Sequence, residues 1–305
     1  MNLTNSAGSR RRAGRTMLNK VPEITVYFWI IKVLCTTVGE SAADYINSTL
    51  GFGLGNTTAV MAVLLVIALV AQFRLDRYVP GVYWTAVVLI SVVGTLVTDN
   101  LTDGLHVSLI VSTIAFSALL ALTFAFWYRS EGTLSIHSIV TGRREAYYWL
   151  VVLFAFALGT AAGDLLIDRL SFSPLTAVIT YAAALAVVFA AYQFLGLGPM
   201  VSFWIAYVLT RPLGGSTGDY LSLGPDEGGA GLGTLGTSLL FLAAITLTVV
   251  YLSITGRDRT EVVQAGRASG AAVADPSVIP PARDYAAGSR DDSWMDESAG
   301  RFGQR

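Results

Sequence analysis

Four aspartates occupy the same place in a pattern that recurs along the chain: an aromatic residue, Trp, nine residues, Gly, four residues, Asp. It reads Phe28-Trp29, Gly39, Asp44; Tyr83-Trp84, Gly94, Asp99; Tyr148-Trp149, Gly159, Asp164; and Phe203-Trp204, Gly214, Asp219. The segments that carry it are strongly apolar. An ionisable group at the centre of a bilayer costs about 2.5–3.5 kcal/mol, less near its edge, and a carboxylate at a helix C-terminus also opposes the helix dipole. Four repeats that each carry this cost argue for use. With Glu40 the acids of these segments outnumber the bases Lys32 and Arg211, a balance that favours a cation or a proton. The ligands on offer are carboxylates, the hydroxyls of Thr36, Thr95, Thr98 and Thr160, and backbone carbonyls, and neither His106 nor His137 falls on the same helical face. Such oxygen donors suit magnesium, manganese, calcium or sodium better than zinc or copper. Asp44, Asp99, Asp164, Asp219 and Glu40 are therefore the candidate ion path. Lys32 and Arg211 are counter-charges whose mobile pairing with Glu40 or the aspartates gates it.

The elements that position these residues follow from composition. Of 305 residues 53% are hydrophobic and 13% charged, against about 25% charged in an ordinary soluble domain, and the mean hydropathy is +0.59. A net charge of −1 offers no nucleic-acid footprint, and the lone Cys35 excludes a disulfide framework and a thiolate metal site. Eight stretches are long enough to cross about 30 Å of hydrocarbon: 25–47, 56–73, 81–100, 105–128, 146–168, 174–195, 200–220 and 234–255. The expected fold is an all-α polytopic membrane protein, its eight helices arranged as four parallel hairpin repeats. Trp spacings of 55, 65 and 55 divide the chain into a first two-hairpin unit, 20–130, and a second, 131–255. These lie between a basic N-terminal tail, 1–19, and a C-terminal tail, 256–305, both expected to be disordered.

Arg10, Arg11, Arg12, Arg15 and Lys20 precede span 1, Arg74 and Arg77 follow span 2, Arg129, Arg143 and Arg144 join spans 4 and 5, and Arg257 and Arg259 follow span 8. The loops on the other side carry only Arg169 as a base. Both termini are expected in the cytoplasm. The motif helices are all odd-numbered, so they run parallel, and an axis along the membrane normal can bring equivalent residues into a ring at one depth.

At 100° per residue, offsets 0, 7, 11 and 15 from Trp fall within about 80° of one another. With offset 3 the stripe is Trp29, Lys32, Thr36, Glu40, Asp44 in span 1 and Trp204, Tyr207, Arg211, Gly215, Asp219 in span 7; spans 3 and 5 contribute Ser91, Thr95, Asp99 and Phe156, Thr160, Asp164. The motif glycine, followed four residues on by Ala43, Thr98, Gly163 or Gly218, is a small-xxx-small seam for close helix packing. The Trp residues are expected to anchor at the inner interface, and the even spans, Leu65 among their residues, to face lipid.

The run Asn19-Lys20-Val21-Pro22-Glu23-Ile24-Thr25, continuing through Phe28-Trp29 to Thr36-Thr37-Val38-Gly39-Glu40 and Asp44, resembles a bacterial family of membrane-anchored proteins built from a repeat of unknown function. Thr133-Leu134-Ser135-Ile136-His137-Ser138-Ile139 with Arg143-Arg144-Glu145-Ala146-Tyr147-Tyr148-Trp149 resembles it too. The resemblance covers residues 19 to 255 and implies bacterial origin, repeats and a membrane location; it implies no activity.

The expected function is a multi-pass protein of the bacterial inner membrane that moves a hard cation, or a proton-coupled small solute, past the repeat aspartates. The partners expected are the lipid bilayer and that cargo; no resident cofactor and no catalytic residue are expected. A non-transporting scaffold or sensor is the alternative, though it leaves the polar stripe without a role. An intramembrane enzyme is the other: H-E-x-x-H and a phosphate-binding Gly-rich loop are missing from the sequence, and no nucleophile shares a helical face with a His.

Overall fold

A computed structural model describes residues 19–258. These form α1 (Val26–Asp44), α2 (Leu54–Arg74), α3 (Pro80–Asp99), α4 (Leu109–Glu131), α5 (Gly142–Leu170), α6 (Pro174–Phe194), α7 (Pro199–Ser222) and α8 (Gly233–Thr255), with no strand among the described residues. The two expected disordered tails lie outside the described residues apart from Asn19 and 256–258. Side-chain oxygens of Thr25, Ser108, Thr141 and Ser173 accept the free amides at the starts of α1, α4, α5 and α6, and prolines open α3, α6 and α7. Two boundaries depart from expectation for this reason. The Thr141 cap draws the polar Arg143-Arg144-Glu145 run into α5, and the Ser108 cap starts α4 at Leu109 rather than 105. Past Asp44 and Asp99 the helices continue as single π-helical turns, Tyr45–Thr49 and Asn100–Gly104.

Seven of the eight helices are long and apolar enough to cross a membrane, which makes this a helical membrane protein. The remaining one, α7, is polar on its inner side, where Arg211, Gly214, Gly215 and Ser216 are buried.

The four odd helices pack in cyclic order, α1 on α3, α3 on α5, α5 on α7 and α7 back on α1. The motif glycines are the reason. A Cβ on Gly39 would lie 2.6 Å from the Ser91 Cβ, on Gly94 2.9 Å from the Phe156 Cβ, on Gly159 2.6 Å from the Arg211 Cβ, and on Gly214 2.6 Å from the Thr36 Cβ. Each glycine thus seats on the offset-7 residue of the next repeat, and the last seats on the first. The small residue four positions on repeats the arrangement: Gly163 meets Pro212 and Gly218 meets Thr37, Thr98 donates to the Ala157 carbonyl, and Ala43 packs with Val92. Close backbone approach at small residues is how helices associate without a hydrophobic drive between them. Here it closes a ring with approximate fourfold symmetry.

The aromatic pairs form a second ring. Phe28 packs on Trp84 at 5.7 Å between ring centres, Tyr83 on Trp149 at 5.5 Å, Tyr148 on Trp204 at 6.4 Å and Phe203 on Trp29 at 5.6 Å. The expectation that the Trp residues anchor at the interface is corrected by this packing: Trp84, Trp149 and Trp204 are buried, each against the aromatic residue of the preceding repeat. Aromatic pairs at such offset angles contribute about 0.5–1.5 kcal/mol beyond their buried area.

The even helices stand outside, α2 on α3, α4 on α5, α6 on α7 and α8 on α1. They expose Val66, Ile67, Ile114, Phe126, Val187, Phe189, Leu247 and Ile254. Leu65 departs from the expected lipid contact, because with Ala68 and Gln72 it forms the inward stripe of α2.

Candidate functional site

The ring places Asp44, Asp99, Asp164 and Asp219 at the ends of four parallel helices, at the end of the bundle away from the aromatic layer. They are half-buried and within electrostatic reach of one another and of Glu40. The structure brings three of the five candidate acids together most closely, with carboxylate oxygens of Glu40, Asp44 and Asp219 all within 4.8 Å of one another. This closeness follows from the α1–α7 seam, where Gly218 lies against the Glu40 Cβ. Asp164 joins Asp219, Glu40, Thr160 and Ser216 in lining a small cleft with room for about one water. Asp99 stands outside both groupings, on the far side of the ring. Three carboxylates and neighbouring hydroxyls offer the oxygen donors that a hard cation takes.

Arg211 forms the cleft floor. Its guanidinium pairs with the Glu40 carboxylate at 2.5 Å, donates to the Thr95 hydroxyl and reaches the Thr36 carbonyl at 3.4 Å. Thr95 belongs to α3, diagonally across from α7, so this contact spans the middle of the ring. Gly215, at the ring position held by Glu40, Thr95 and Thr160 in the other repeats, makes the arrangement possible. A Cβ there would crowd Arg211 Nη1 at 3.1 Å and Glu40 Oε2 at 3.5 Å. Thr98 and Thr36 are not open to the path, since both are fully buried with their hydroxyls turned into helix seams, donating to the Ala157 and Thr210 carbonyls. His106 lies in the turn before α4 and His137 pairs with Glu23 at the opposite end, 3.3 Å away.

Lys32 lies one ring layer below Arg211 and is 1% exposed. Its Nζ has no hydrogen-bond partner among the described residues. Instead it sits over the Tyr207 ring, 3.6 Å from the centroid, and the Phe156 ring, 4.2 Å away. The two bases on the stripe therefore differ in kind: Arg211 is held by a carboxylate, Lys32 by aromatic faces. Beneath them the aromatic ring fills the cross-section, tied by a hydrogen bond between the Tyr83 and Tyr148 hydroxyls.

At the opposite end of the bundle the structure reveals a cluster that the pattern of acids and bases does not display. Lys20 is buried, paired with Glu145 at 2.6 Å, and Gln72 donates to the other Glu145 oxygen at 3.1 Å. Lys20 also donates to the Phe73 carbonyl at the end of α2. Counting Lys20 among orientation-setting bases hid this role. The available signal was Gln72, seven and four residues after Leu65 and Ala68 and so on the same inward stripe. Arg144 and Arg143 pair with Glu131, at 2.8 and 3.5 Å.

A family model described as Repeat of Unknown Function (DUF347) matches residues 27–78, 82–133, 147–196 and 202–258, one match for each helix hairpin. No curated protein and no solved structure matches the chain.

Proposed function

The chain belongs to the family built from this repeat, and from that premise we propose that it is a membrane transporter that moves a hard cation along the axis of its helix ring. The observation that carries the reading is the meeting of Glu40, Asp44 and Asp219 within 4.8 Å, at the mouth of a cleft floored by a charged pair. A cation entering there exchanges part of its water shell for carboxylates, and its charge offsets their mutual repulsion. Arg211 already neutralises one of the acids, so the site is graded: a paired carboxylate at the floor, with free ones above it. The middle of the ring is filled by Arg211, Lys32, Phe156 and Tyr207, which favours a carrier that opens its two ends in turn over a standing pore. Proton coupling fits the same residues, because the aspartates must lose protons to bind.

In this reading the protein sits in the bacterial inner membrane. The basic residues Arg74, Arg77, Arg129, Arg143, Arg144 and Arg257 flank the helix ends distant from the aspartates. The positive-inside tendency makes that end cytoplasmic, with both termini there and the acidic mouth outside. The test is ion uptake by proteoliposomes that contain the purified protein, across a panel of hard and soft cations. Uptake of hard cations only, reduced in Asp44→Asn and Asp219→Asn, is the expected result. Silence toward every cation would remove the reading in favour of a scaffold.

A further inference from the structure

The feature that the carboxylate site leaves unused is Lys32. A lysine buried to 1% exposure ordinarily acquires a carboxylate or a set of carbonyls; this one has neither, and its nitrogen faces two ring centroids, at 3.6 and 4.2 Å. The rings come from different helices, Tyr207 from α7 and Phe156 from α5, while Lys32 comes from α1. Phe156 is diagonally opposite Lys32, so the side chain spans the axis. The rings are also fixed from behind: Phe156 meets Tyr207 edge-on at 6.3 Å, Tyr207 packs on Phe203 and Trp204, and the Phe156 Cβ is clamped by Gly94. A cation over fixed aromatic faces gains most where the site is desolvated, and such cages recognise alkylammonium groups.

We propose that the Phe156–Tyr207 cage is a second cation site on the axis, occupied in this state by the protein's own Lys32 side-chain nitrogen, and that it restricts the hard-cation cargo to monovalent ions. This rests on the reading of the ring axis as a transport path. A cation leaving the carboxylate cleft toward the cytoplasmic end must displace Lys32 and take its place between the rings. Ring faces and no carboxylate cannot replace the water that a magnesium or calcium ion would shed there, whereas a monovalent cation, for which an alkylammonium is a convenient probe, keeps a favourable contact with both rings. Lys32 is then a tethered stand-in for the cargo, and it holds the cage shut between passages.

Lys32→Ala removes a propylammonium-sized group and leaves the cage vacant. The experiment measures n-propylammonium and its neutral counterpart 1-propanol on the detergent-purified full-length Lys32→Ala protein, by calorimetry and thermal unfolding. The expected result is binding of the amine at least about tenfold tighter than the alcohol, absent in wild type and lost when Tyr207→Leu is added. Equal binding of amine and alcohol, or none of either, overturns the proposal. Lys32→Ser supplies a second background. If neither variant folds unaided, recovery of folded protein only when n-propylammonium is present during extraction supports the cage, and failure with and without the amine overturns it. In proteoliposomes of the wild-type chain, sodium uptake without magnesium uptake supports the cargo class, and the reverse overturns it. Amine binding by Lys32→Ala with no flux of any cation would leave the cage in place while removing the transport reading.

Discussion

Among single residues, Arg211 and Glu40 are tightly coupled, because the buried guanidinium lies against the partly buried carboxylate. Removing one member of such a pair leaves the other uncompensated, at a typical cost of about 3–5 kcal/mol, whereas removing both is close to neutral. Arg211→Met and Glu40→Gln should therefore each lower thermal stability sharply, and the double variant should recover most of the loss; thermal unfolding in detergent measures both. The aspartates should respond differently. Asp→Asn keeps the side-chain shape, so fold and insertion persist while cation binding falls. Asp44 and Asp219, which share the close cluster with Glu40, should be the most sensitive, Asp164 in the cleft wall less so, and Asp99 least. Calorimetric titration of each variant gives the order. Since protons compete for the same oxygens, binding should weaken as pH falls through the titration of the bound carboxylates. The shared face of Glu40, Asp44, Arg211 and Asp219 was legible from spacing alone. That Arg211 reaches Glu40 while Lys32 reaches rings was not, because it depends on which helices are neighbours across the ring.

At the level of elements, the motif glycine is where two helices touch, and its consequence can be tested directly. Gly159→Leu and Gly214→Leu place a branched side chain against the Arg211 and Thr36 Cβ atoms, where even a methyl group comes within 2.6 Å. Both should lose folded yield on size-exclusion chromatography, while Ile67→Phe on the 60% exposed face of α2 should not. Equal yields from all three would remove the seam as the organising contact. The seam was readable in sequence as small-xxx-small, and so were eight apolar helices, though not the Ser108 and Thr141 caps that set the starts of α4 and α5. The burial of the Trp residues was not. A Trp near a helix end suits a membrane interface and an aromatic core equally well by composition, and only the fit of each Trp against the preceding repeat's aromatic residue decides it. The pairing of Lys20 was missed for a related reason: as one of several bases before span 1, it carries no sign of the partners, Glu145 and Gln72, that come from distant elements. Lys20→Met should leave Glu145 buried without its partner and reduce thermal stability by an amount comparable to the loss of Arg211, with Glu145→Gln restoring part of it.

The whole molecule is a ring of four repeats whose equivalent positions have diverged layer by layer. Seams and aromatic contacts stay close to fourfold. The offset-11 layer has become Glu40, Thr95, Thr160 and Gly215, and the offset-7 layer Thr36, Ser91, Phe156 and Arg211. Symmetry therefore builds the frame, and its breaking builds the charged floor, which explains why the acids cluster toward α1 and α7 instead of spacing evenly. The proposed topology belongs to this scale: reporter fusions at the C-terminus should report the cytoplasm, the side that the basic helix ends select. The central claim, a cation path past the repeat aspartates, is tested most directly by cation uptake into proteoliposomes that contain either the wild-type chain or the variant with Asp44, Asp99, Asp164 and Asp219 all changed to Asn. Wild-type uptake that is abolished in an equally folded fourfold variant is the predicted result, and uptake that persists unchanged in that variant would contradict the account.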